Sequence, residues 1–208
     1  MKKVLIADDH EIVRRGITMI IQSLPGQYQV IEASTCSQVL QAFTNEQLDF
    51  AILDMALSDA NISSILEQVM DKKGEASLLV YSMNAEHIYA PRFFSKGFRG
   101  FVSKQASISE LEKAIKTVFR GEVYISAELQ ETLLDPSRQM QLKNPIDALS
   151  DRELEVSEYL AIGMGVKEIA QKMNLDMTTV STYKRRAFDK LGVQSSVELK
   201  EKLMIYKS

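Results

Sequence analysis

The stretch Asp49-Phe50-Ala51-Ile52-Leu53-Asp54-Met55 decides the fold class of this 208-residue chain. Its four apolar residues, Phe50 to Leu53, run without alternation into the acid Asp54. A short unbroken apolar run is typical of a parallel strand that is buried on both faces of its sheet. In an open parallel sheet the functional side chains lie beyond the carboxyl ends of the strands, which is where Asp54 falls. A single acid at the end of a strand more often caps the following loop. Whether Asp54 has a chemical function therefore depends on which residues follow the other strands.

The composition is that of an ordinary globular protein, with 45% hydrophobic and 25% charged residues. A single cysteine, Cys36, excludes an internal disulfide and fits a reducing cytoplasm. No apolar stretch approaches the roughly 20 residues of a membrane helix, and the early acids Asp8 and Asp9 exclude a secretory signal. We therefore expect a cytoplasmic protein without a membrane partner. The net charge of -3 is too small to indicate nucleic-acid binding, so any basic surface must be local.

Strand and helix patterns alternate along the first 120 residues. The predicted strands are 3–8, 29–33, 50–53, 78–82 and 101–103. The predicted helices are 11–23, a segment that Ser34 or Thr35 could cap, 63–72, 85–95 and 109–120. Pro91 lies inside the fourth of these and predicts a short, kinked or irregular helix. Five such units predict an α/β domain with a doubly wound, five-stranded parallel sheet.

Polar side chains follow four of the five predicted strands: Asp8 and Asp9, then Asp54, Ser82 and Lys104. The carboxyl ends of parallel strands meet at one rim, so these residues should converge on one site. Clustered carboxylates repel one another unless a cation neutralises them, and oxygen ligands suit magnesium. The lysine and the hydroxyl would instead hold an anion. The set predicts a cradle for a phosphoryl group carried by Asp54, the most central acid.

At this point residues 1–120 resemble the receiver domain of two-component response regulators, which has a flavodoxin-like fold. The resemblance implies that Asp8, Asp9, Asp54 and the backbone carbonyl of Ala56 bind Mg2+. It also implies that Asp54 receives its phosphoryl group from a sensor histidine kinase.

In the same family, the equivalents of Ser82 and Lys104 contact the phosphoryl oxygens and drive the switch. The equivalent of Phe101 is an aromatic residue, more commonly a tyrosine, whose side-chain rotamer reports the state of the switch.

Two places in the loop after the phosphoacceptor depart from the family pattern Asp-x-x-x-Pro-x-x-x-Gly. Ser58 stands at the proline and Ile62 at the glycine. These departures leave an alternative open, in which a degenerate receiver serves only as a dimerisation scaffold for a phosphorylation-independent regulator. A haloacid-dehalogenase-like phosphatase would need a second acid two residues after Asp54, where the chain has Ala56.

The predicted domain limits are 1–122 for the receiver and 149–208 for a second domain. Residues 123–148 are predicted as a linker, with a helix over 123–134 as one option. The part from Asp135 to Pro145 is polar, contains two prolines and lacks periodicity.

The second domain has an all-helical pattern. Ser150 and Glu153 have the spacing of a capping box, and helices are predicted over 166–173 and 177–191, with Asp176 as the cap of the latter. A last helix should start at Ser195 or Ser196. Two short helices joined by a tight turn, the second bearing cations, predict a helix-turn-helix.

Residues 149–205 resemble the LuxR-type DNA-binding domain of the NarL/FixJ class. The matching segments are Leu149-Ser150-Asp151-Arg152-Glu153-Leu154-Glu155-Val156, Lys167-Glu168-Ile169-Ala170, Thr179-Val180 and Lys190-Leu191-Gly192-Val193. The resemblance implies base contacts from Ser181, Thr182 and Arg185. It implies phosphate contacts from Thr179, Lys184 and Lys190.

Together these patterns predict a response regulator whose DNA binding is controlled by phosphorylation of Asp54. Its expected partners are a sensor histidine kinase, double-stranded DNA and a second copy of itself. We do not expect a turnover enzyme, since a receiver takes part only in its own phosphoryl transfer and dephosphorylation.

Overall fold

The computed structural model describes residues 1–84, 86–134 and 145–207. Side chains are described except at 132–134 and 204–207. The chain forms two compact units, Met1–Gln130 and Glu131–Ser208. Most of the predicted linker segment from Asp135 onward lies outside the described residues.

The first unit is built on a five-stranded parallel sheet with the order β2-β1-β3-β4-β5. The strands are β1 Lys2–Ala7, β2 Tyr28–Ala33, β3 Phe50–Leu53, β4 Ser77–Ser82 and β5 Gly100–Ser103. All four residues of β3 are buried, as the unbroken apolar run predicts. β3 is therefore the middle strand, and the predicted doubly wound α/β fold is confirmed.

The helices of this unit are α1 Glu11–Ser23, α2 Cys36–Asn45, α3 Leu66–Lys72, α4 Glu86–Ser95 and α5 Ile108–Phe119. A further helix, α6 Ala127–Leu134, begins within it and ends beyond its limit at Gln130. One face of the sheet packs its strand residues against Ile17 and Ile21 of α1 and Leu111 and Ile115 of α5. A short 3-10 turn, Ile62–Ser64, precedes α3. The helix predicted over 63–72 is thus two shorter elements.

The first unit extends past the end of α5 because the following segment packs back on the sheet. Tyr124 is buried, its backbone N–H donates to the Arg99 carbonyl at 2.8 Å, and Leu129 is buried as well. A Cβ at Gly100 would lie 2.6 Å from Leu79 Cδ1, so any larger residue there would have to displace that methyl group. The limit at residue 122 stays a prediction, whereas the unit observed here runs to Gln130.

Two expectations within the helices need correction. The apolar pattern over 11–24 would place Ile12 on the buried side of α1, yet its side chain is 78% exposed. At 3.6 residues per turn it lies about 140° around the helix from the buried Ile17, off the apolar stripe. Pro91 does not shorten α4, which continues through it from Glu86 to Ser95.

The second unit contains a 3-10 turn, Pro145–Ala148, and the helices α7 Asp151–Ala161, α8 Val166–Met173, α9 Met177–Leu191 and α10 Ser196–Lys207. Ser150 and Glu153 form the predicted capping box at the start of α7. Asn174 turns the chain between α8 and α9 with a left-handed φ of 52°. Asp176 occupies the N-cap of α9 but makes no side-chain capping bond, so that part of the prediction is wrong.

Within the described parts of both units, every helix is too short or too polar to cross a lipid bilayer.

Candidate functional site

The strand ends of the first unit bring Asp8, Asp54, Ser82 and Lys104 to one rim of the sheet. The backbone N–H of Asp54 donates to the Ala7 carbonyl at 2.8 Å, so the acid follows β3 in register with β1. The backbone N–H of Lys104 donates to the Ser82 carbonyl at 2.8 Å, which aligns β5 with β4. The parallel register therefore sets these side chains side by side.

Lys104 links the two central carboxylates. Its ammonium Nζ lies 2.6 Å from Asp54 Oδ2 and 2.6 Å from Asp8 Oδ2. The Lys104–Asp54 contact is a hydrogen bond, whereas Asp8 Oδ2 is buried without a well-aligned hydrogen bond in the described part of the chain. One cation thus serves two buried acids, and an oxygen of Asp8 retains capacity for another partner.

The buried environment shifts the pKa values of this group. Burial raises the pKa of Asp54 above 3.8 and the charge of Asp8 adds to the rise, although Lys104 and Ser82 act in the opposite direction. Burial alone would lower the pKa of Lys104, but its contacts with Asp54 and Asp8 outweigh that effect and raise it. Lys104 therefore stays charged, while ionising Asp54 depends on nearby positive charge.

His10 joins the acid pair at the end of β1. Its Nδ1 lies 2.6 Å from Asp9 Oδ1, and its backbone N–H donates to Asp8 Oδ1 at 2.9 Å. Ligand atoms of Asp8, Asp9 and His10 lie close enough together to hold a metal ion. His10 is not among the metal ligands predicted from the sequence, although its position directly after two acids could have indicated its place in the group.

Ser82 is the last residue of β4, and Phe101 lies in the neighbouring strand β5. The Ser82 hydroxyl donates to Asn84 Oδ1 at 2.9 Å, and the serine is buried. Phe101 is fully buried, and its ring centroid lies 6.2 Å from that of Phe93 on α4. The aromatic side chain therefore points inward and contacts the helix that follows Ser82.

The loop after Asp54 forms a short hairpin. The Ile62 N–H donates to the Met55 carbonyl at 2.8 Å, and the Leu57 N–H donates to the Ala60 carbonyl at 3.0 Å. Ala56 and Asn61 form an antiparallel bridge of the non-hydrogen-bonded type, in which both backbone carbonyls point away from the partner strand. The Ala56 carbonyl is therefore free of backbone partners among the described residues.

Ile62 replaces the family glycine without strain. It is fully buried within the 3-10 turn, and among the described non-glycine residues Asn174 is the one with a positive φ. The loop geometry here does not require a left-handed residue at this position.

In the second unit, α9 is anchored by the buried side chains of Val180, Ala187 and Leu191. Of the predicted DNA contacts, Ser181 and Arg185 are exposed, and Thr179, Thr182 and Lys184 are half-buried.

Some of these polar groups already have intramolecular partners. Thr182 Oγ1 donates to the Thr178 carbonyl at 2.9 Å, and Lys184 Nζ lies 5.2 Å from the centroid of the Phe188 ring. Lys190 differs from the rest of the set, because its Nζ lies 2.7 Å from Oε2 of the buried Glu153.

Comparisons with known protein families cover both units. The family described as "Response regulator receiver domain" matches residues 4–116. The family described as "Bacterial regulatory proteins, luxR family" matches residues 147–202.

Two response regulators match nearly the whole of this chain. The chain is 30% identical over 200 residues to the response regulator GacA of Pseudomonas aeruginosa, covering 96% of this chain and 94% of GacA. It is 28% identical over 200 residues to the response regulator UvrY of Escherichia coli K12, covering 96% and 92% of the two chains. Among solved structures, RcsB from Salmonella enterica serovar Typhimurium, bound to promoter P1flhDC with phosphomimetic BeF3-, gives a TM-score of 0.73. It is 25% identical, and the match covers 97% of this chain and 98% of RcsB. The chain therefore belongs to the two-component response regulators, with an N-terminal receiver domain and a C-terminal LuxR-family helix-turn-helix domain.

Proposed function

We propose that Asp54 accepts a phosphoryl group from a sensor histidine kinase, and that this modification controls DNA binding by the second unit. The observation that carries the proposal is the Lys104 ammonium, 2.6 Å from carboxylate oxygens of both Asp54 and Asp8 at the ends of three strands. A cation held between two acids at a strand rim can pair with phosphoryl oxygens once one acid has become an acyl phosphate.

The transfer step needs an ionised nucleophile. An oxygen of Asp54 attacks the phosphorus, a new O–P bond forms, and the N–P bond of the kinase phosphohistidine breaks with its electron pair returning to the imidazole. Lys104 supports the ionised form of Asp54 before attack and pairs with a phosphoryl oxygen afterwards. The Ser82 hydroxyl, now directed at Asn84, would turn to donate to another phosphoryl oxygen.

The residues at the rim fit a magnesium ion. Its ligands would be the carboxylates of Asp8, Asp9 and Asp54 and the carbonyl of Ala56, all hard oxygen donors. The buried Asp8 Oδ2 lacks an aligned hydrogen bond, and the Ala56 carbonyl lacks a backbone partner within the described residues, so both have free acceptor capacity. When bound, the ion would supply positive charge against the phosphoryl oxygens.

The DNA-binding surface would be the outer face of α9. Arg185, Ser181 and Thr182 would read base edges in the major groove, while Thr179 and Lys184 would contact phosphates. Support comes from the LuxR-family match and from RcsB, which is described bound to promoter DNA and as two dimers on two parallel DNAs. We accordingly propose that the protein binds two-fold symmetric operators as a homodimer. We also propose that the chain catalyses only its own phosphorylation and dephosphorylation and does not turn over a separate substrate.

The inward-pointing Phe101 connects the two events. Its ring lies against Phe93 of α4, so a displacement of Ser82 toward a phosphoryl group would change the packing of that helix. A phosphoryl group can act only through such a difference in interaction with two states.

Labelling with radioactive acetyl phosphate tests the nucleophile. The parent protein should become labelled in the presence of Mg2+, and Asp54→Asn should not, because an amide oxygen is a far poorer nucleophile. Asp71→Asn, an exposed acid on α3, serves as the matched control and should label like the parent. Labelling of Asp54→Asn to the parental level would refute the assignment.

A further inference from the structure

The loop that follows Asp54 is attached to the start of α2 by two of its own residues, Ser58 and Asp59, which we call the loop clamp. Asp59 Oδ1 accepts a hydrogen bond from the backbone N–H of Cys36 at 2.7 Å. Asp59 Oδ2 accepts from the backbone N–H and from the hydroxyl of Ser37, each at 3.3 Å. Both oxygens of one carboxylate are therefore used across 22 or 23 residues of chain.

Ser58 adds a second attachment to the same neighbouring loop. Its hydroxyl donates to the Ser34 carbonyl at 3.0 Å, and its backbone N–H donates to the same oxygen at 3.3 Å. A proline at position 58 would have neither donor. The replacement of proline by serine thus exchanges a rigid ring for two hydrogen bonds to a fixed partner.

Helix α2 does not depend on the clamp for its own cap. Thr35 Oγ1 already accepts from the backbone N–H of Gln38 at 3.0 Å, the usual N-cap interaction. Asp59 supplies a further acceptor to the first turn from outside the helix. Burial would raise the pKa of Asp59, but the bonds from Cys36 and Ser37 outweigh it and lower the pKa, so the carboxylate stays charged.

The loop clamp lies in the same hairpin as the Ala56 carbonyl. Asp54 is held from the other side by the Ala7 carbonyl, and the hairpin base is closed by the Ile62–Met55 bond. Between these anchors the tip, residues 57–60, is closed by a single backbone hydrogen bond, from Leu57 to Ala60. The clamp holds that tip against the β2–α2 loop and so limits rotation of the peptide units next to Ala56.

We infer that Asp59 is a positioning residue for the divalent cation, because it fixes the loop from which the Ala56 carbonyl reaches the rim. This inference rests on the proposed Mg2+ site and adds to it a residue that does not touch the ion. Groups that orient metal ligands from outside the ligand set typically change metal affinity by about 10- to 100-fold when they are removed. The single bent loop here favours the lower end of that range.

Calorimetric titration of the full-length protein with MgCl2 tests the inference. Asp59→Ala should bind Mg2+ about tenfold more weakly than the parent. Asp59→Asn removes the same charge but keeps an oxygen that can accept from the Cys36 N–H, so its affinity should stay close to the parental value. Thr35→Ala removes a cap from the same helix without touching the loop, and it should lower the thermal midpoint while leaving Mg2+ affinity unchanged.

Three results would overturn the inference that Asp59 positions the metal site. Asp59→Ala could bind Mg2+ as the parent does, Asp59→Asn could be as weak as Asp59→Ala, or Thr35→Ala could weaken binding equally. The second result would assign the effect to charge and the third to general loosening of α2. If the parent protein bound no Mg2+, both the proposed metal site and the inference about Asp59 would be wrong. If the parent bound Mg2+ and Asp59→Ala bound it with the same affinity, only the inference about Asp59 would be wrong.

Discussion

Lys104 lies where the proposed divalent cation and the proposed phosphoryl group make opposite demands on charge. Its ammonium lies 2.6 Å from oxygens of Asp8 and Asp54, which are also proposed ligands of the divalent ion. Two like charges near the same carboxylates repel each other, so the lysine opposes the metal and favours the phosphoryl group. The same side chain should therefore affect the two ligands in opposite directions.

Lys104→Met should bind Mg2+ about fivefold more tightly than the parent, because removing a neighbouring positive charge strengthens the attraction of the carboxylates for the ion. It should bind beryllofluoride, an analogue of the phosphoryl group, much more weakly, because the anion loses its cationic partner. Calorimetric titration with MgCl2, then with beryllofluoride at saturating Mg2+, measures both effects.

Lys116→Met is the matched control for this pair of effects. Lys116 is exposed on α5 and pairs only with Glu112 at 3.2 Å among its described contacts, so its removal changes net charge equally without entering the rim. It should leave both affinities near the parental values. Weaker Mg2+ binding by Lys104→Met would show that the lysine organises the acids rather than competing with the ion.

At the scale of single elements, the ion pair between Glu153 and Lys190 connects the start of α7 to the end of α9. Lys190 Nζ and the Ser150 N–H both donate to Glu153 Oε2, at 2.7 Å and 2.8 Å. The carboxylate is buried, and the Lys202 ammonium donates to the Leu191 carbonyl at 2.6 Å just beyond. These bonds hold the end of α9 against α7. We therefore expect Lys190 to act through the position of α9, in contrast to the phosphate contact that the family resemblance implies.

The salt dependence of DNA binding separates these two roles. A lysine that neutralises one phosphate contributes roughly 0.9 to the slope of log affinity against log salt concentration. Lys184→Met should therefore reduce the slope by about that amount on a short random-sequence duplex, whereas Lys190→Met should weaken binding with the slope unchanged. Glu153→Gln should resemble Lys190→Met, and the double variant should lose less than the sum of the two losses. If Lys190→Met reduced the salt-dependence slope as much as Lys184→Met does, Lys190 would be a phosphate contact as the resemblance implies.

The same pair has a signature in the pH dependence of stability. Burial would raise the pKa of Glu153, but the bonds from Lys190 and Ser150 outweigh it and lower the pKa below 4.5. A carboxyl group with a lowered folded-state pKa stabilises the fold above its unfolded-state value, and that stabilisation is lost as pH falls through the folded-state value. Glu153→Gln should therefore melt below the parent at neutral pH, and the difference should vanish in acid well below pH 4.5.

Local patterns predicted the elements better than the contacts between them. The buried run of β3 and the capping box at Ser150 are properties of neighbouring residues, and both are found as predicted. Strand ends also converge predictably, because parallel register leaves one rim for Asp54 and Lys104. Glu153 was interpreted only as a cap, since its partner lies 37 residues away and sequence spacing carries no information on such a pair. The loop clamp of Asp59 escaped prediction for the same reason.

The whole molecule consists of two compact units, and the proposed regulation requires a free energy that couples ligand binding at the rim of one unit to DNA binding by α9 of the other. Coupling between two ligands is reciprocal at equilibrium. If beryllofluoride with Mg2+ changes the affinity for DNA by some factor, then DNA must change the affinity for beryllofluoride by the same factor. A receiver that is only a dimerisation scaffold would give a factor of one in both directions.

We expect a factor of about 5 to 150, the usual range for allosteric coupling. Fluorescence anisotropy would measure affinity for a duplex selected by the protein from a random pool, with and without beryllofluoride, and calorimetry would measure beryllofluoride binding with and without that duplex. Asp54→Asn should show no change in either experiment, because the anion has lost its site, while keeping the DNA affinity of the unmodified parent. A DNA affinity that ignores beryllofluoride in a parent that binds it would show that the receiver senses its ligand without transmitting it, and the phosphorylation-independent scaffold would then be the better account of this chain.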